Sequence, residues 1–251
     1  GAAMCRIIFN WTVDFQIMAP HPGKIYLVPT PIGNMADFTE RAKEVLSVVA
    51  LVACEDTRVS GSFLKKLDLK KKLISYHEFN ETARAEQLAQ MVAEGQSVAI
   101  VTDAGSPGIS DPAYRIVRAA VDSGLEIVAL PGPCAIIPAL TASGLPTDRF
   151  FFEGFLSNKS AARRRRLEQL QELEHTLVFY ESPHRVKKTL ADMLEVLGNR
   201  PACLAREISK KFEEYIRGNI SDIIQRIGDR NIKGEIVLLV GGKSDKGDTD
   251  D

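Results

Sequence analysis

Residues 102–112 combine the residue types best suited to holding a ligand. They read Thr-Asp-Ala-Gly-Ser-Pro-Gly-Ile-Ser-Asp-Pro and directly follow the apolar run 98–101. Glycine removes the Cβ atom and proline fixes φ, so this loop can present its backbone in one shape beside a bound molecule. The two aspartates add acceptor oxygens. We therefore predict a binding loop at the end of a buried strand.

Two further loops have a similar composition. Residues 29–34 read Pro-Thr-Pro-Ile-Gly-Asn, and residues 131–135 read Pro-Gly-Pro-Cys-Ala; each follows a predicted strand. In open α/β sheets, ligands bind outside the carboxyl ends of the strands, where such loops converge. The three loops therefore predict one pocket. A dinucleotide-binding Gly-x-Gly-x-x-Gly does not follow any predicted strand, and Gly-Lys-Ser at 242–244 lacks the upstream glycine of a phosphate-binding loop.

Alternating apolar strands and amphipathic helices predict the elements that position these loops. A first series of strands is expected at 24–28, 50–54, 72–76, 97–102 and 126–130, with helices between them. Asp37 and Glu40 resemble a capping box before a helix at 41–49. A second series comprises helices at 160–174, 183–197 and 220–227 and strands at 176–181, 202–207, 213–217 and 235–241.

This pattern predicts an α/β fold with two α/β domains and a cleft between them. The expected boundaries are an N-terminal domain at 24–132, a linker at 133–147 and a C-terminal domain at 148–243. Residues 1–23 lack periodicity and are interpreted as a leader or an expression remnant. The charged residues 244–251 are expected to form a flexible tail.

Composition restricts the function classes. The chain has 251 residues, of which 45% are apolar and 26% charged, and no apolar run is long enough for a membrane span. Four scattered cysteines and isolated histidines match no zinc or disulfide pattern, which predicts a cytoplasmic protein without a metal. The net charge of −1 predicts that any nucleic-acid binding depends on local basic patches.

Two basic clusters are present. The first comprises Arg58, Lys65, Lys66 and residues 70–72, and the second comprises Lys159 and residues 163–166. Such clusters contact phosphates largely without regard to sequence, but they are also typical of solvated helix faces. Composition alone leaves both interpretations open.

Eight motifs along the chain together resemble the tetrapyrrole methylase superfamily, and within it the enzymes that methylate small-subunit ribosomal RNA. They lie at 26–34, 53–58, 75–78, 103–112, 130–133, 143–149, 152–155 and 179–185. The resemblance covers residues 24–242. It implies a two-domain homodimer that binds S-adenosylmethionine between its domains and methylates the ribose 2′-hydroxyl of a cytidine. The implied target lies in the decoding region of 16S rRNA within the small ribosomal subunit.

The resemblance also implies the cofactor site. Ser106 stands where the superfamily usually has an acid, and Asp103 is the alternative carboxylate. The expected cofactor-binding residues are Pro29, Asp103, Ala104, Gly105, Ser106, Gly108, Ile109, Ala135, Ile136 and Tyr180.

Methyl transfer to a hydroxyl depends mainly on alignment of the reactants, with a positioned base to accept the proton. We hypothesise that Glu55 or Glu78 approaches the hydroxyl while Arg58 orients a phosphate. Glu181 is either another candidate base or a structural acid paired with Arg185. The expected RNA-binding residues are Arg58, Lys65, Lys66, Arg163, Arg164, Arg165, Arg166 and Arg185.

Two other functions stay open. A methylase of corrin or porphyrin precursors would need a large apolar trough without a basic rim, which the run at 163–166 disfavours. A non-catalytic RNA-binding protein with a vestigial fold would have no reason to retain affinity for S-adenosylmethionine.

Overall fold

The first half of the protein forms a five-stranded parallel sheet. A computed structural model describes residues 23–76 and 81–243. The strands are β1 (Lys24–Leu27), β2 (Leu51–Cys54), β3 (Lys72–Ser75), β4 (Val98–Ile100) and β5 (Glu126–Ala129), in the order β3-β2-β4-β1-β5. The helices are α1 (Glu40–Val48), α2 (Thr57–Lys66), α3 (Glu81–Ala93) and α4 (Ala113–Asp122). All five predicted strands are present, each one to three residues shorter than expected.

The second half forms a mixed five-stranded sheet. Its strands are β6 (Phe150–Phe155), β7 (Thr176–Glu181), β8 (Pro201–Arg206), β9 (Glu214–Asn219) and β10 (Ile236–Val240), in the order β6-β7-β10-β8-β9. Only β6 and β7 pair in parallel. The helices are α5 (Ile136–Thr141), α6 (Ser160–Leu170), α7 (Val186–Leu197) and α8 (Ile220–Ile227). The α/β class is confirmed, whereas β6 and α5 were not predicted.

Helices cover both faces of the first sheet, which explains its nearly continuous apolar strands. Along β4, Val98 and Ile100 pack with Ile25 in one core, while Ala99 packs with Tyr26 in the other. This alternation between faces is the expected geometry of a strand. Because all five strands of this sheet run parallel, their carboxyl ends lie at the same edge.

The start of α1 differs from the sequence expectation. Thr39 is the N-cap, and its hydroxyl accepts a hydrogen bond from the amide of Ala42 at 3.1 Å. Asp37 lies one turn earlier in a 3-10 helix, Met35–Asp37, and its carboxylate accepts from the Ser209 hydroxyl at 2.7 Å. Asp37 is thus a contact to the second half of the chain and does not cap α1.

Residues 133–147 connect the two sheets and contain α5. Ile136 and Leu140 of this helix are buried against the second sheet. Arg217 of β9 donates two hydrogen bonds to the carbonyl of Ala142 at 2.9 and 2.7 Å, and the Tyr215 hydroxyl donates to the carbonyl of Pro138 at 3.4 Å. The connecting segment is therefore fixed to the second sheet. Within the described ranges, none of the helices combines the length and apolarity that crossing a bilayer requires.

Candidate functional site

The first two predicted loops are joined by backbone hydrogen bonds. The amide of Thr30 donates to the carbonyl of Gly105, and the amide of Gly105 donates back to Thr30, both at 3.0 Å. The Thr30 hydroxyl also donates to the carbonyl of Thr102 at 3.0 Å. Gly105 has φ +85°, a conformation that favours glycine. The loop after β4 is thus held against the loop after β1.

The third loop completes the arrangement. The Ser106 hydroxyl donates to the carbonyl of Pro133 at 3.1 Å. Gly132 lies so close to Pro29 that a Cβ atom at position 132 would be 2.8 Å from the proline Cβ. The three loops predicted from composition therefore meet at one edge of the first sheet.

Asp111 fixes the far end of the 102–112 loop. Its carboxylate accepts hydrogen bonds from the amides of Gly108 at 2.7 Å and Ala113 at 2.8 Å. Burial raises the pKa of Asp111 despite these bonds. Ser110 adopts φ +63° between these anchors. Such a conformation persists only where the surroundings determine it, so the loop is held in one shape.

Both sheets enclose a cleft of about 270 Å³ above these loops. Its lining comprises Ile32, Glu55, Thr102, Asp103, Ala104, Gly105, Ser106, Ile109, Ser110, Cys134, Ala135, Phe155, Tyr180, Glu181, Ile208, Glu235, Ile236 and Val237. Seven of the ten residues expected to bind a cofactor are among them. Glu55 and Glu181 were already candidates for other roles, and four more lining residues belong to the predicted loops: Ile32, Thr102, Ser110 and Cys134. Phe155 lies in the motif at 152–155 but had no predicted role. Ile208 and residues 235–237 were missed, because no local motif identifies them.

Three expected cofactor residues are not among the residues that line the cleft. Pro29 packs against Gly132 and so spaces two loops. The amide of Gly108 is engaged by Asp111. Ile136 is buried in the core beneath α5. Their expected contact with a cofactor therefore stays a prediction.

The charge of the cleft has one sign. Its lining includes four carboxylates, and no lysine, arginine or histidine lies among the described lining residues. Arg185 pairs with Glu181, and Lys210 pairs with Glu235. Among the residues that the structure describes, Glu55 and Asp103 have no ion pair. The cleft is therefore suited to a ligand that carries positive charge.

Glu55 is the expected catalytic residue that the cleft contains. It follows β2 directly, and its carboxylate accepts a hydrogen bond from the hydroxyl of Thr102. Burial raises the pKa of Glu55, more than the hydrogen bond lowers it. A raised pKa makes a carboxylate a better proton acceptor near neutral pH. Glu78, the alternative, lies outside the described residues.

Glu181 is a structural acid. Its carboxylate accepts from the amide of Ser182 at 2.6 Å, the guanidinium Nε of Arg185 at 3.0 Å and the hydroxyl of Thr189 at 2.5 Å. The predicted pairing with Arg185 is confirmed. Because three donors occupy its oxygens, Glu181 holds the end of β7 to the start of α7.

The arginine run on α6 does not form one basic face. Successive helical residues are rotated by about 100°, so the four side chains point in different directions. Arg163 is only 3% exposed, and its Nε donates to Asp192 at 2.7 Å. Arg164 pairs with Glu195 and Arg166 pairs with Glu153, whereas Arg165 is exposed. The expectation that Arg163 contacts RNA is corrected, because protein encloses its guanidinium.

A more accessible basic surface lies on α2. Arg58, Lys65 and Lys66 are exposed, and Arg58 and Lys66 line a shallow groove with Phe63. The hydrogen bonds from Arg58 lower the pKa of Asp56, the N-cap of α2, to about 2. Because α2 begins two residues after Glu55, its N-terminal end with Arg58 lies close in the chain to the cleft.

Comparison with known proteins identifies the class to which this architecture belongs. The family model described as "Tetrapyrrole (Corrin/Porphyrin) Methylases" matches residues 24–224. The chain belongs to the tetrapyrrole methylase family, and the resemblance expected from its motifs is confirmed at that level.

Curated relatives carry a more particular name. A Vibrio cholerae protein named "Ribosomal RNA small subunit methyltransferase I" is 47% identical over 227 residues, which cover 89% of this chain and 79% of the relative. A protein of the same name from Halalkalibacterium halodurans is 44% identical, with 89% and 78% covered.

Solved structures share the fold. Uroporphyrin-III-C-methyltransferase from Thermus thermophilus has a TM-score of 0.60 at 23% identity, covering 87% of this chain and 94% of that one. Cobalt precorrin-4 methyltransferase has a TM-score of 0.64 at 16% identity, covering 87% and 95%.

Proposed function

We propose that this protein uses S-adenosylmethionine to methylate the ribose 2′-hydroxyl of a cytidine in the decoding region of 16S rRNA, within the small ribosomal subunit. The observation that carries the proposal is the 47% identity, over 89% of the chain, to a protein named for ribosomal RNA methylation. We further propose that the enzyme is a cytoplasmic homodimer.

The cleft fits S-adenosylmethionine, whose sulfonium and amino groups are positively charged. Glu55 and Asp103 supply negative charge that no described residue pairs with, while Ile109 and Ala135 offer apolar surface for an adenine ring. The backbone around Gly105 and Ser106 is held by its bonds to neighbouring loops and so is positioned before a ligand arrives. The seven expected cofactor residues that line the cleft therefore stay our proposed binding set.

The proposed chemistry is a displacement at carbon. When bound, S-adenosylmethionine would supply a methyl group whose bond to sulfur breaks as its bond to the ribose oxygen forms, leaving a neutral thioether. Glu55 would accept the hydroxyl proton, because it lies in the cleft with a raised pKa. Thr102 would hold the Glu55 carboxylate in position. The main contribution of the protein is alignment of the two reactants.

RNA would contact the rim and not the acidic interior. Arg58, Lys65 and Lys66 on α2 and Arg165 on α6 are exposed and can meet phosphates. Arg185 is committed to Glu181 and is a weaker candidate.

The test is transfer of a labelled methyl group. The protein would be incubated with labelled S-adenosylmethionine and small ribosomal subunits from cells that lack the enzyme, and the modified nucleotide would be mapped. We expect label on one cytidine ribose and none on free porphyrin precursors. Label on a base, or on a tetrapyrrole only, would reject the proposal. Binding to small subunits without measurable affinity for S-adenosylmethionine would instead favour an RNA-binding protein with a vestigial cleft.

A further inference from the structure

Phe155, the last residue of β6, is an aromatic side chain that core packing does not explain. It lines the cleft from the second sheet, yet it is 57% exposed. Its ring centroid lies 5.5 Å from that of Tyr180, at an interplanar angle of 56°. Part of the ring is therefore supported by protein, and part is open to solvent at the cleft.

A β-bulge aims this ring. Phe152 is paired with Val178, but Gly154 is paired with the next residue, Phe179, so Glu153 is an extra residue in β6. Side chains alternate between the faces of a regular strand, which would place Phe152 and Phe155 on opposite faces. With the bulge, both rings contact Tyr180, at centroid distances of 5.0 and 5.5 Å. Bulges next to active sites commonly redirect a side chain in this way.

The bulge is fixed on both sides. Gly154 is buried with φ +77°, and a Cβ atom there would lie 3.3 Å from the Ser110 hydroxyl of the binding loop. Glu153 accepts two hydrogen bonds from Arg166 of α6, both at 2.7 Å. Glycine adopts this positive φ readily, so Gly154 supplies the backbone conformation of the bulge. The orientation of Phe155 is thus determined by both halves of the chain.

We propose that Phe155 stacks against the base of the RNA nucleotide whose ribose is methylated, which orients that ribose toward the methyl donor. This inference rests on the proposed function. The loops proposed to hold the donor belong to the first sheet, and Phe155 faces them from the second. Its ring is open to a group that enters from solvent, and exposed Lys159 and Arg165 follow it in the chain and can meet phosphates. Aromatic stacking accepts any base, since every base has a π-face.

Three substitutions at one position separate stacking from simple apolar contact. Phe155→Ala removes the ring, Phe155→Leu keeps apolar volume without a π-face, and Phe155→Trp keeps the π-face. Phe150→Ala is the matched control, because Phe150 lies on the same strand, is 41% exposed and does not line the cleft. The measurements are kcat/KM on unmethylated small subunits, calorimetric affinity for S-adenosylmethionine, and thermal unfolding to confirm that each variant is folded.

We expect Phe155→Ala and Phe155→Leu to lower kcat/KM by roughly 5- to 150-fold, the range measured for base stacking on aromatic side chains. Phe155→Trp and Phe150→Ala should stay within about threefold of the parent protein. Affinity for S-adenosylmethionine should be unchanged in all four variants.

Four results would overturn the proposal. Full activity in Phe155→Leu would show that apolar contact suffices. If Phe155→Ala lost affinity for S-adenosylmethionine by the same factor as it lost kcat/KM, the ring would instead contact the donor. If the parent protein methylates small subunits and Phe155→Ala does so equally well, only the role of Phe155 is refuted. If the parent protein methylates no RNA, the proposed function fails and this inference fails with it.

Discussion

Adjacent arginines on α6 should respond to mutation in different ways. The Arg163 side chain is 3% exposed and bonds to Asp192, whose side chain is 11% exposed, at 2.7 and 2.6 Å. Removing one partner of a buried ion pair costs about 3–5 kcal/mol, because the other charge stays buried without compensation. With a urea m-value of about 2 kcal/mol/M, Arg163→Ala should lower the unfolding midpoint by about 1.5–2.5 M.

Arg164→Ala is the matched control. Arg164 and Glu195 are 36% and 59% exposed, so water screens their attraction, and Arg164→Ala should lower the urea midpoint far less than Arg163→Ala does. Arg165→Ala should leave the free energy of unfolding within about 0.5 kcal/mol of the parent value. It should instead weaken binding to small ribosomal subunits.

Urea unfolding, monitored by circular dichroism, measures the free energy of unfolding of each variant. A filter-binding assay measures the affinity for small ribosomal subunits. A double variant, Arg163→Met with Asp192→Leu, should recover most of the lost stability because both charges are removed together. Equal destabilisation by Arg163→Ala and Arg164→Ala would refute the reasoning. So would a stable Arg163→Ala protein that has lost only its RNA affinity.

Three further variants test the cleft and its rim. Burial raises the pKa of Glu55, so folding is favoured while Glu55 is protonated, and that stability is lost as the pH rises through the raised pKa. The urea midpoint of Glu55→Gln should therefore be higher than that of the parent protein at about pH 8. At about pH 3 the two midpoints should be equal. The same variant, with its Thr102 contact kept, should lose turnover while calorimetry shows donor binding. Gly132→Ala should weaken donor affinity, because its methyl group would lie 2.8 Å from the Pro29 Cβ and would separate two loops. Arg58→Ala should reduce the slope of log affinity for RNA against log salt by about one, which a salt titration measures.

The sequence was informative where local chemistry determines structure. The loops at 29–34, 102–112 and 131–135 depend on glycine and proline, whose backbone preferences are local. Their convergence follows from parallel strands ending at one edge, which the topology confirms. Most of the expected cofactor residues therefore line the cleft.

Long-range pairing explains what was missed. Residues 208 and 235–237 reach the cleft because β10 inserts between β7 and β8 in antiparallel orientation, a choice that no local motif records. β6 was missed because its bulge at Glu153 and Gly154 breaks the alternation that identifies a strand. Arg163 was misassigned because consecutive positions on a helix face different surroundings, one of which is the buried Asp192.

The same correction changes which observation distinguishes the candidate substrates. With Arg163, Arg164 and Arg166 each bonded to a carboxylate, the arginine run no longer argues against a tetrapyrrole substrate. The acidic cleft argues against a tetrapyrrole substrate instead, because tetrapyrrole precursors carry several carboxylates. Two like charges about 4 Å apart repel by about 4 kcal/mol near a protein surface. In the proposed complex an RNA chain would avoid this repulsion, since the entering base and sugar are neutral while the phosphates would stay at the rim beside Arg58 and Arg165. The distribution of charge between cleft and rim therefore favours RNA more strongly than the count of basic residues does.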